Sequence, residues 1–135
     1  MNEAKRQWVQ SWLIKAKHDL AAADKLVADS DPLLDTAIYH CQQAAEKSIK
    51  GFLAFHDQPL EKTHNIETLL KLAVPYEAKF SRWLSIANRM TEYTFAFRYP
   101  DVVMEPARAE CEQAMENAAN IYAFVLSVLP AETHP

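Results

Sequence analysis

Apolar residues recur along the chain at spacings of three and four, the period of an amphipathic helix, in successive stretches separated by proline-containing breaks. Over ~3–29, Trp8, Val9, Trp12, Ala16, Leu20, Ala23 and Val27 form one stripe, with Lys5, Arg6, Lys17, His18 and Lys25 mostly off it. That helix should stop at "DSDP", where Asp31 suits an N-cap and Pro32 the first position of the next helix. The second helix, ~32–56, buries an arc of Leu34, Ile38, Cys41, Ala45, Ile49 and Phe52. After the loop "HDQPLEKT", a short third helix covers ~64–73 with Thr63 as its cap. Pro75 separates it from a fourth, ~76–98, whose stripe is Phe80, Trp83, Ala87, Met90, Thr94 and Phe97. The proline in "FRYPD" should end that helix, since the residue before a proline is pushed out of helical geometry. The last helix, ~106–129, lies between Pro106 and Pro130 and carries Cys111, Ala114, Met115, Ala118, Ile121, Tyr122, Val125 and Leu129. Four long helices and one short one predict a single all-α domain over 1–135, packed as an up-and-down helical bundle.

The second helix, "YHCQQAAEKSIKGFL" at its centre, has more polar groups than its core role requires. Tyr39, Gln43, Glu46 and Lys50 form a polar ridge at spacings of four, three and four, while His40 and Lys47 lie further round. Gln42 projects inside the apolar arc. An unpaired buried amide costs about 1–3 kcal/mol, so Gln42 should bond a backbone group or a side chain on a neighbouring helix. The ridge has two readings. It is a solvated face with an i,i+4 Glu46–Lys50 pair contributing ~0.3–0.5 kcal/mol. Or it is one wall of a groove, where Tyr and amide groups suit a base or ribose and Lys suits a phosphate. Arg98 and Tyr99 divide in the same way, between an arginine at a helix C-terminus and a preorganised phosphate-binding arginine beside an aromatic ring. His64 either caps the third helix or approaches the second. The candidate nucleotide-binding set is therefore Tyr39, Gln43, Lys47, Lys50, His64, Arg98 and Tyr99, with Lys47 and His40 also readable as solvent or dimer contacts. Trp8, Trp12 and Trp83 read as core, or as an aromatic edge suited to a dimer.

Composition narrows the chemistry. The chain has one glycine, Gly51, which leaves no glycine-rich phosphate loop. The formal net charge is -4, against an electrostatically driven nucleic-acid binder. Cys41 and Cys111 fall on apolar faces and read as buried thiols in a reducing compartment. "MNEAKRQW" has no apolar signal core, and no apolar run approaches membrane-spanning length, so the expected location is the cytoplasm. No H-E-x-x-H and no repeated E-x-x-H is present, so neither a metal nor another cofactor is expected.

Three pieces resemble the HEPN family of small helical domains. They are "AKHDLAAADKLV" (16–27), "YHCQQAAEKSIKGFLAFHDQPLEKTHNIETLL" (39–70) and "RYPD" (98–101), within a resemblance spanning roughly 8–125. The second piece, an aromatic-His-x-Gln-Gln-Ala-x-Glu-Lys helix followed by a His opening a Leu-rich helix, is the most specific. The resemblance implies a helical bundle, often a homodimer, often made beside a separately encoded nucleotidyltransferase, with some such pairs acting as toxin and antitoxin. Many members are metal-independent ribonucleases with Arg, four to six residues, then His. Arg6, Arg82, Arg89, Arg98 and Arg108 all lack a histidine at that distance, and His134 is the sole histidine after Arg98. The expectation is a nucleotide-binding or nucleotidyltransferase-partner protein without a complete catalytic motif. A ribonuclease with a non-standard site and a pure protein-interaction module are the alternatives.

Overall fold

The computed structural model describes residues 1–60 and 62–135; Glu61, within the expected loop, lies outside the described residues. Its helices are α1 (Glu3–Ala28), α2 (Leu34–Phe55), α3 (Ile66–Ala73), α4 (Leu84–Glu92) and α5 (Arg108–Ser127), with tighter 3-10 turns at Ala78–Trp83 and Ala131–Thr133. The all-α bundle read from periodicity is what forms, and no strand occurs among the described residues.

α1 and α2 make an antiparallel hairpin that positions everything else. Lys5 reaches Asp57 at one end, Lys47 reaches Asp19 in the middle, and Leu33 N–H donates to the Leu26 carbonyl at the turn. α2 packs against α1, α3, α4 and α5, so it is the central element. It is buried on nearly every side from Ala37 to Ala54, with Lys47 the one position in 41–54 that is not fully buried. The expected arc of six apolar residues therefore understates the burial, and Gln42, Gln43, Glu46, Ser48 and Lys50 are all interior. At the far end of α2, Phe52, Phe80 and Phe124 pack edge-to-face in sequence, with ring centroids 4.6 and 5.0 Å apart. Trp83 closes this cluster and is core, as its spacing suggested.

Several boundaries differ from the sequence reading, each for a local reason. Asp31 does not cap α2. Its N–H is held by the Asp29 carboxylate in the turn, and the helix starts after Leu33 without a side-chain cap. Asn65, not Thr63 or His64, caps α3, its side chain accepting from Thr68 N–H at 2.9 Å. α5 starts at Arg108, two residues past Pro106. On α1 the buried line is Val9, Leu13, Ala16, Asp19, Ala23 and Val27. Leu13 replaces the tryptophans at its centre, and Trp8 lies on the flank, edge-on to Trp12 and half exposed.

The fourth helix is much shorter than its periodicity implied. Residues Ala78–Trp83 wind as a 3-10 turn before α4 begins. Beyond Glu92, the N–H groups of Tyr93, Thr94 and Phe95 bond three residues back rather than four, and Phe97 then turns left-handed at φ 66°. Thr94 and Tyr93 are still buried, which is why the apolar spacing persisted past the helix itself.

Gly51 sits where α2 packs closely on α1. A Cβ there would lie 3.1 Å from Leu13 Cδ2 and 3.3 Å from Trp12 Cβ. Gly51→Val adds a branched side chain to that contact and should destabilise by about 2 kcal/mol, the scale of overpacking a filled core. The urea midpoint would report it; an unchanged midpoint would mean the two helices do not meet closely at this point. Both thiols are free and buried. Burial pushes Cys41 up to about 12 and raises Cys111 as well. Native protein at pH 8 should therefore leave Ellman's reagent uncoloured, with both thiols reacting only in denaturant.

Candidate functional site

Because α2 is central, its polar ridge from Gln43 to Lys50 faces neighbouring chain rather than water. Glu46 is the hub and is 4 % exposed. Its Oε1 accepts from His64 Nδ1 at 2.7 Å and from Gln42 Nε2 at 3.3 Å, and its Oε2 accepts from Lys50 Nζ at 3.1 Å. Gln42 also donates to the His64 carbonyl at 2.9 Å, the backbone partner that its buried position required. Gln43 donates to Gln42 Oε1 at 2.7 Å. Lys50 additionally lies 5.7 Å from the centre of the Trp12 ring, adding a cation–π contact across α1 and α2. The seam thus fastens α2 to the chain entering α3, and Ile66 N–H donates to Thr91 Oγ1 to fasten that segment to α4.

A second polar knot lies between α1 and α2. Asp19, buried within the apolar line of α1, accepts from His40 Nδ1 at 2.8 Å on one oxygen and from Lys47 Nζ at 2.7 Å on the other. Each carboxylate oxygen therefore has a charged or ring N–H partner, which a buried carboxylate requires.

The open part of the ridge is at its Tyr39 end. A cleft of about 310 Å³ is lined by Asp35, Thr36, Tyr39, His40, Phe97 and Arg98. It adjoins a depression of about 330 Å³ that shares Asp35, Phe97 and Arg98 and adds Tyr99, Pro100, Met104 and Glu105. The Arg98 guanidinium lies 4.4 Å over the Tyr39 ring, and one of its nitrogens donates to the Thr94 carbonyl at 2.8 Å. Arg98 is thus not a helix-terminal residue. It follows the left-handed Phe97, a conformation costing a non-glycine residue about 1–2 kcal/mol. Among the described residues Arg98 makes no ion pair, whereas Arg6, Arg89 and Arg108 each pair with a glutamate.

The candidate residues therefore separate into three places. Tyr39 and Arg98 meet in the cleft, and Tyr99, 68 % exposed, stands beside it. Gln43, Lys50 and His64 belong to the Glu46 seam. Lys47 lies apart from both, on Asp19. The ammonium groups expected to meet phosphate, Lys47 and Lys50, are each bound to a buried carboxylate. Sequence reasoning passed over Asp19, Asp35, Thr36 and Phe97. For Asp19 the signal was available: it lies three residues after Ala16 and four before Ala23, a polar residue in register with an apolar stripe.

An all-α bundle whose central helix is crossed by a buried Gln–Gln–Glu–Lys seam, tied to a histidine ahead of a Leu-rich helix, defines the class. The HEPN domain model matches residues 9–128, nearly the whole chain, and the protein belongs to the HEPN family. No curated protein and no solved structure matches it.

The seam gives a direct test of whether Lys50 is an interior partner. Lys50→Met should destabilise by about 3 kcal/mol by leaving Glu46 without its cation, and adding Glu46→Gln should cost less than the two single changes summed. Urea unfolding of the four proteins would measure this. A single-variant loss under about 0.5 kcal/mol would match a solvated helix pair instead.

Proposed function

We propose that this HEPN-family chain binds a nucleotide in the Tyr39–Arg98 cleft and acts as the partner of a separately encoded nucleotidyltransferase, one half of a toxin–antitoxin-like pair. The observation that carries the reading is Arg98. Its guanidinium is stacked on Tyr39, anchored through one nitrogen, and has no carboxylate partner among the described residues. The remaining N–H groups are oriented donors for a phosphate. Tyr99 offers an exposed ring for a base beside them. The Arg-x4-6-His motif is missing, so the reading favours a binding partner over a ribonuclease.

A partner also needs a surface. Phe95, Tyr99, Val102, Val103 and Met104 are each more than half exposed within a ten-residue stretch, and Val102 is 96 % exposed. Exposed apolar side chains so concentrated suit a protein interface, and we assign this stretch to the nucleotidyltransferase contact within a homodimeric assembly. No helix among the described residues is long and apolar enough to cross a membrane; the proposed place of work for the pair is the cytoplasm. The same strip favours the second reading, a pure interaction module without nucleotide binding.

Calorimetric titration with ATP, GTP, AMP and a short RNA separates the two. Saturable binding weakened at least tenfold by Arg98→Ala (~1.4 kcal/mol) is the expected result. Silence with every ligand would remove nucleotide binding and leave the interaction module, to be pursued by identifying the proteins that co-purify with the chain.

A further inference from the structure

We infer that the cleft takes the terminal phosphate of a phosphomonoester, with Arg98 and His40 as its two donors; this rests on the nucleotide-binding reading above. His40 lines the same cleft as Arg98. Its Nδ1 is taken by the Asp19 carboxylate at 2.8 Å, which fixes the ring against α1. Its Nε2 has no hydrogen-bond partner among the described residues, and its side chain is 29 % exposed. A histidine held at one nitrogen by a buried carboxylate presents its other nitrogen, open beside an unpaired arginine, as a preset second contact that donates once protonated.

The charges around the ring decide which ligand suits it. They are of both signs: Asp19 from α1, Asp35 and Lys47 from α2, and Arg98 from the segment after α4. The Tyr39 ring stands edge-on to the imidazole at 5.6 Å. A phosphomonoester is close to dianionic at neutral pH, with a second pKa of about 6. Placed between Arg98 and Nε2, its second charge draws a proton from solvent onto Nε2, which then donates to a phosphate oxygen. A diester has one charge and a nucleoside none, so each gains less from this pair. Asp35, whose carboxylate accepts from Thr36 N–H at 2.8 Å, also lines the cleft and repels an anion placed near it. Binding is therefore linked to proton uptake.

The experiment is titration of the full chain with AMP, adenosine, cyclic AMP and inorganic phosphate, each in two buffers of different ionisation enthalpy. The variants are Arg98→Ala, His40→Phe and Asp19→Asn, with folding checked by circular dichroism. The expected result is that AMP binds at least tenfold tighter than adenosine or cyclic AMP, with an enthalpy that depends on the buffer. His40→Phe should remove that dependence and weaken AMP at least fivefold. Asp19→Asn should reduce proton uptake, the mark of a positioning residue. Should Asp19→Asn fail to fold, His40→Phe and the wild-type buffer dependence decide the matter. If AMP binds and needs Arg98 but His40→Phe changes nothing, the two-donor site is wrong while nucleotide binding stands. Equal affinity for AMP and adenosine would show that the phosphate is not recognised and would overturn the phosphate site, Arg98 included. Inorganic phosphate binding as tightly as AMP would show a free-anion site and overturn the phosphomonoester assignment. If no ligand binds, both readings fall.

Discussion

The burial of Glu46 is the constraint on which the rest depends. A carboxylate in the interior of a bundle is tolerable only if its oxygens are paired and its charge compensated. Lys50 compensates the charge from one turn along α2, and His64 and Gln42 complete the pairing. Two of these partners lie on α2 itself. The third brings in the chain before α3, and Thr91 links that chain onward to α4. One acid on the central helix thereby sets where the short helices sit. Asp19 plays the matching role on the other side, holding α2 to α1 through His40 and Lys47.

The division of polar groups between interior and cleft follows from this. A residue type does not determine whether a cation serves a ligand or the fold; its neighbours do. Lys47 and Lys50 have a buried carboxylate within 2.7 and 3.1 Å, so their charge is already matched. Arg98 projects from an irregular turn, over an aromatic face, and remains open. The cleft forms at the end of the ridge where Tyr39 and His40 are only partly covered and the chain after α4 departs from helical geometry at Phe97.

The periodicities of α1, α2 and α5 were legible because long amphipathic helices repeat their signal over several turns. The fourth stretch misled because burial and helicity parted: Thr94 is interior although its backbone has left the helix. The seam was half legible. Gln42 stood inside the apolar arc and so needed a partner, but Gln43 and Lys50 looked peripheral. Their burial depends on helices packing round both sides of α2, which no single-helix projection contains. The same limit hid Asp19 and His40 as a pair. They are 21 positions apart, and only the antiparallel hairpin brings them together.

The Glu46–Lys50 pair also has a thermal consequence. Its main penalty is the hydration lost by two ions on burial, and that hydration becomes less favourable as temperature rises. Apolar burial gains little over the same range. The seam should therefore carry a growing share of the stability on heating. The helices it fastens, α3 and α4, would then be held longest by charge rather than by oil-like contacts as the bundle approaches melting.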